Sequence, residues 1–125
     1  HRLSYEGKAK AGTEVDKGEF GLQACSGCYI TNNQIEAARI CLARYTKRQG
    51  KIWVRIFPHL SKTKRPLGVR MGSGKGNVEY WVAVVKPNRI LFELDCFDRA
   101  TAVRAFELAG QKLPIKVKVV EKESV

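Results

Sequence analysis

The chain predicts an α+β fold, a mostly antiparallel sheet with two helices, in a single domain spanning 1–125. Three observations carry this expectation. Strand-like stretches stand at 17–24, 52–57, 78–85, 90–94 and 115–119, the first and last alternating apolar and polar residues and 78–85 lying directly next to 90–94. Only two stretches, after Thr31 and after Asp98, repeat at three- and four-residue steps. Strands stand next to strands, without the regular alternation with helices that parallel βαβ units require. A chain of 125 residues buries roughly two thirds of its unfolded surface, enough for one core.

In the first strand pattern, Phe20, Leu22 and Ala24 alternate against Glu19, Gly21 and Gln23. Thr31 is placed as a helix N-cap with Gln34 three residues on, the spacing at which each side chain takes the other's free backbone N–H. Ile35, Ala38, Leu42 and Tyr45 then share a face expected to be buried, with Arg39, Arg44, Lys47 and Arg48 mainly off it, and Gly50 ends the helix. Ile52, Val54 and Ile56 alternate with Trp53, Arg55 and Phe57 until Pro58 stops the strand. Residues 58–77 show no period, only Lys, Arg, Gly, Ser and two prolines, and read as one long loop, functional or disordered. A strand at 78–85, a turn at 86–89 and a strand at 90–94 read as a hairpin. Asp98 caps a second helix to about Lys112 with Ala102, Ala105, Phe106 and Ala109 inward. Pro114 closes that segment, Ile115, Val117 and Val119 alternate with Lys116 and Lys118 in a last strand, and 121–125 is a polar tail. There is no internal repeat.

Charge along the chain is more informative than its total. Lys and Arg number 23 against 12 Asp and Glu, a net charge of +11. The whole excess lies in 37–78, which holds eleven cations and no acid, while the remainder is balanced. Such a window is the footprint of a polyanion-binding surface, a solvated face kept for solubility being the alternative. Nucleic acid is favoured over membrane because no bulky apolar run stands opposite the cations. No stretch approaches the ~20 apolar residues of a membrane helix, and the first residues show no secretory pattern, so the cytosol or an organelle is expected.

The motifs argue against chemistry on bonds. Gly72-Ser73-Gly74-Lys75-Gly76 lacks the spacing of a phosphate-cradling nucleotide loop, the Ser or Thr after its Lys and the following helix. With Arg70 it suits instead a glycine-rich segment pressed against a phosphate backbone, or a merely mobile connector. Cys25 and Cys28 have half the ligands of a structural zinc site and do not open a helix as a redox pair would, so all four cysteines, with Cys41 and Cys96, are expected to be incidental thiols. No metal and no cofactor is implied. His59 reads as a surface histidine before a phosphate or sugar contact. Tyr45, Trp53, Phe57, Tyr80 and Trp81 interleave with the cations, a mixture that binds unpaired RNA, but Trp53, Phe57 and Trp81 lie in strands and read first as core.

Three long motifs in order go further. Residues 34–39 (QIEAAR), 47–58 (KRQGKIWVRIFP) and 70–82 (RMGSGKGNVEYWV), with the ending Lys112-Leu113-Pro114-Ile115, resemble the bacterial and organellar L-sixteen family of large-subunit ribosomal proteins over about residues 17–114. The resemblance implies an α+β sandwich of a strongly bent antiparallel sheet and two helices, hammerhead-like in outline. It implies binding to large-subunit (23S-type) rRNA near the peptidyl transferase centre, help in positioning A-site tRNA, with the P-site tRNA also in reach, and neighbouring large-subunit ribosomal proteins as partners. On it, Arg39, Lys47, Arg48, Lys51 and Arg55 match family basic positions and are expected to contact rRNA, the cationic window adds Arg44, Lys62, Lys64 and Arg65 to that expectation, and the loop Arg70, Met71, Gly72, Ser73, Gly74, Lys75 and Gly76 is expected to reach toward tRNA and rRNA. Residues 1–16 stand as the remnant of a very basic arm, and Arg70 matches an arginine hydroxylated in some bacteria. Cys25, Cys28 and Pro58-His59-Leu60 depart from the family pattern. A free-standing RNA-binding regulator is the alternative from another class, and an enzyme using the Gly-Lys loop the third.

Overall fold

A computed structural model of the chain describes residues 12–46, 50–58, 60–64, 78–95 and 98–122, the backbone alone at 60–64 and 78–80. The elements are β1 (Phe20–Ala24), β2 (Cys28–Thr31), α1 (Asn32–Thr46), β3 (Lys51–Val54), β4 (Leu60–Lys64), β5 (Val78–Val85), β6 (Ile90–Asp95), α2 (Arg99–Gly110) and β7 (Val117–Glu121). The class is the expected one, α+β with two helices and antiparallel strand pairs.

Both helices begin at the residues whose side chains cap them. Thr31 Oγ1 accepts from Gln34 N at 3.2 Å and Gln34 Oε1 accepts from Thr31 N at 2.9 Å, a closed capping box. Asp98 stands extended before α2 and accepts from Ala100 N at 3.2 Å and from Thr101 Oγ1 at 2.8 Å. Ala102, Ala105, Phe106 and Ala109 are buried as the spacing predicts, and α2 packs on α1. On α1 the buried stripe is Ile35, Ala38, Leu42 and Thr46, not Tyr45, which is 39% exposed. At roughly 100° per residue Thr46 falls nearer the centre of that stripe than Tyr45. Its hydroxyl is satisfied by donating to the Leu42 carbonyl at 2.9 Å.

The strands form two sheets, ordered β3-β6-β1-β7 and β2-β5-β4. Residues 78–94 are therefore not a hairpin: β5 is flanked by β2 and β4, β6 by β1 and β3, so neither keeps a free edge for the other. The turn at 86–89 instead carries the chain between sheets, with Asn88 at φ 76° in the left-handed region that asparagine tolerates. Two strands went unread in the sequence. β2 runs from the second cysteine of the Cys25–Cys28 motif to the capping Thr31, and β4 lies within the stretch expected to be one long loop at 58–77. β4 (Leu-Ser-Lys-Thr-Lys) has no apolar alternation because it is an edge strand, held by backbone pairing from Leu60↔Val82 to Lys64↔Val78. Residues 65–77 lie outside the described residues.

The central strands of the larger sheet, β1 and β6, are buried on both faces, so alternation does not translate into exposure there. All five residues of β1 are buried, Gly21 and Gln23 included. Residues 12–18 cross the face bearing Gly21, Gln23 and Glu93. The Gln23 amide donates to Thr13 O and Asn88 O, and a Cβ on Gly21 would stand 2.6 Å from Val15 Cγ2, so any larger residue there must displace the Val15 side chain. The first strand starts at Phe20 rather than Lys17 because the N–H groups of Asp16, Lys17 and Gly18 all turn to the carboxylate of Glu93, which no alternating strand permits. Opposite this covering, Leu22, Phe92, Leu94, Leu42, Phe106 and their neighbours make the core.

Candidate nucleic-acid interface

The expected rRNA contacts divide into exposed and engaged cations once the fold is in place. Arg44 sits exposed in the last turn of α1, where the helix dipole favours a cation, and Lys51 is exposed at the start of edge strand β3. Lys62 and Lys64 occupy alternate positions of edge strand β4, opposite Tyr80 and Val78. Arg39 is exposed but bound to Glu36 Oε1 at 2.9 Å, one helical turn back. Lys47, Arg48, Arg65 and the loop 70–76 lie outside the described residues, as does His59.

Arg55 is placed differently from the other described cations. Its guanidinium pairs with the fully buried carboxylate of Glu93, donates to Glu14 O at 3.4 Å, and its carbonyl accepts from Arg89 Nη2 at 3.0 Å. A carboxylate taken out of water needs such a partner, and this one also receives the three N–H groups at 16–18. The charge of Arg55 is thus spent inside the molecule. A trace of this was present in the sequence, since Glu93 interrupts the apolar run Ile90-Leu91-Phe92, a position no acid occupies unpaired.

Exposed rings are the feature that the strand pattern concealed. Phe57 is 67% exposed and Trp81 51%, against the expectation that both are core, while Trp53 is half-buried. Phe57 follows the end of β3, and Trp81 lies on β5 opposite Ser61 of edge strand β4. Cys25, Cys28 and Cys41 are free thiols, and burial pushes Cys28 up to about 11. Among the described residues no group of three His, Cys, Asp or Glu is arranged to hold a metal ion.

Fold and site together define a small basic α+β protein whose exposed cations, among the described residues, include one at a helix end and one on a strand edge. The sequence matches the ribosomal protein L16p/L10e family over residues 1–120, and the chain belongs to that family. It is 59% identical over 122 residues to the large ribosomal subunit protein uL16 of Spiroplasma kunkelii, covering 98% of this chain and 89% of that protein. To uL16 of Corynebacterium glutamicum it is 56% identical over 123 residues, 98% and 89% of the two chains. To uL16 of Macrococcus caseolyticus it is 54% identical over 125 residues, 100% and 87%.

Proposed function

We propose that this chain is a non-catalytic constituent of the large ribosomal subunit that binds 23S-type rRNA near the peptidyl transferase centre and helps to position A-site tRNA. The observation that carries the reading is the acid-free window at 37–78 within a member of this ribosomal family. Arg44, Lys51, Lys62 and Lys64, with Lys47, Arg48 and Arg65, neutralise rRNA phosphates, and residues 70–76 reach the tRNA. Arg39 contributes only when it exchanges Glu36 for a phosphate, and Arg55 acts as an internal support. The work done is charge neutralisation and positioning, since charge-assisted contacts to phosphate hold a backbone in place without making or breaking bonds.

The test is a pair of measurements on Arg70→Ala and Lys75→Ala. Both variants should enter large subunits at normal stoichiometry, and A-site tRNA should then bind those subunits about tenfold more weakly, the scale of one lost charge-assisted bond. Unchanged A-site affinity overturns the tRNA assignment. Failure of the unaltered protein to co-sediment with large subunits at moderate salt overturns the ribosomal one and favours a free-standing regulator.

A further inference from the structure

Beside its buried stripe, α1 carries a second stripe at helical spacing that is partly or fully exposed among the described residues: Ala37, Ile40, Cys41, Arg44 and Tyr45. With Leu108 and Lys112 at the end of α2 it walls an open groove of about 600 Å³. This is within the roughly 300–1,000 Å³ of clefts that take small ligands. Ile40 and Tyr45 are each 39% exposed, large apolar side chains left facing water. Among the described residues no acid lines the groove, and neither Arg44 nor Lys112 has an ion-pair partner.

We propose that this groove binds one unpaired nucleotide of an RNA strand, its base against the Tyr45 ring and its flanking phosphates on Arg44 and Lys112. The inference rests on the rRNA-binding reading above and adds a place and a mode to it. Charge selects the occupant. A partner helix reads apolar anchors at i, i+3, i+4 and i+7, and here the i+7 position after Ala37 is Arg44, faced by Lys112. Covering two unpaired cations with an apolar helix is costly, whereas a phosphate compensates both. Ile40 and Leu108 supply an apolar floor for the edge of a base, and the tyrosine offers a flat ring of the kind on which unpaired bases stack. Lys112 lies far from 37–78 in sequence, so the packing of α2 on α1 extends the cationic surface beyond the window the sequence shows.

The full chain is titrated with a labelled single-stranded hexaribonucleotide and with the same hexamer made abasic, and alkylation of Cys41 is followed by peptide mass. Tyr45→Phe should bind the hexamer as the unaltered protein does. Tyr45→Leu should bind it about tenfold more weakly, near the loss of one stacked base. The abasic hexamer should bind the unaltered protein and Tyr45→Leu equally. The hexamer should protect Cys41 but not Cys25. Equal affinity of Tyr45→Leu and Tyr45→Phe for the hexamer, with Cys41 unprotected, overturns the groove while leaving rRNA binding by the other cations intact. Cys41 protection in assembled subunits that survives nuclease digestion of the rRNA, with none by the hexamer, puts a protein segment there and overturns the proposal. Absence of binding to the hexamer and to large-subunit rRNA alike removes both readings.

Discussion

Arg55 and Glu93 show how a residue's role changes once its tertiary partner is known. Glu93 is fully buried and holds both a guanidinium and three backbone N–H groups, so it ties 12–18 to the middle of the larger sheet. Arg55→Ala should destabilise the fold by about 2 kcal/mol, less than the ~3–5 of a fully buried pair because the guanidinium is partly exposed and the N–H bonds remain. Glu93→Gln should cost more, since the amide puts donors where donors already converge. Urea midpoints for the two variants check both, and an unchanged midpoint for Arg55→Ala would return that residue to the RNA surface. The thiols make a second prediction. Cys28 ionises near 11 because burial disfavours its thiolate, while Cys25 is exposed, so iodoacetamide at pH 8.5 should label Cys25 well before Cys28. A raised acid pKa means the folded state holds its proton longer. Any stability from Cys28 is therefore full below about pH 9 and is lost as pH rises toward 11, which a Cys28→Ser comparison in that window reads out.

At the scale of elements, end chemistry and packing separate cleanly. Thr31→Ala opens the capping box of α1 and Asp98→Ala uncaps α2, each expected to lower stability by about 1 kcal/mol in denaturant melts. Phe106, fully buried where α2 meets the core, should cost about 3–5 kcal/mol on truncation to alanine. Trp81→Ala, at a half-exposed ring, should cost under about 1 kcal/mol. The contrast matters because both aromatics stand in equally regular patterns. Reversal of their order in a melting series would mean that Trp81 is the core residue its strand position suggests.

Over the whole molecule, the polyanion reading makes a single electrostatic forecast. Of the window's eleven cations, Arg55 is committed to Glu93 and Arg39 to Glu36. If about six of the remainder meet phosphates, log affinity for an rRNA fragment should fall against log salt with a slope near −5, at ~0.9 per phosphate. A slope shallower than about −2 would mean that the charge is solvated instead of bound, which titration at three or four salt concentrations decides.

By itself the sequence determined what depends on neighbours along the chain: the caps at Thr31 and Asp98, the inward face of α2, the turn at 86–89, the acid-free window and the family motifs. Each is a matter of residues a few positions apart, where spacing alone decides which groups meet. Tertiary structure decided what depends on residues brought together from far away. It placed β5 and β6 in different sheets, because both backbone edges of each are paired with strands from elsewhere in the chain. It made a strand of Leu60–Lys64 with no apolar alternation, because an edge needs only backbone partners. It turned Phe57 and Trp81 outward and Gln23 and Glu93 inward, because burial follows what covers a face, and residues 12–18 cover the one that alternation assigns to solvent. Arg55 looked like one more cation in a basic run until the fold set it beside a carboxylate 38 residues away, and charge, unlike periodicity, is spent on whatever lies nearest.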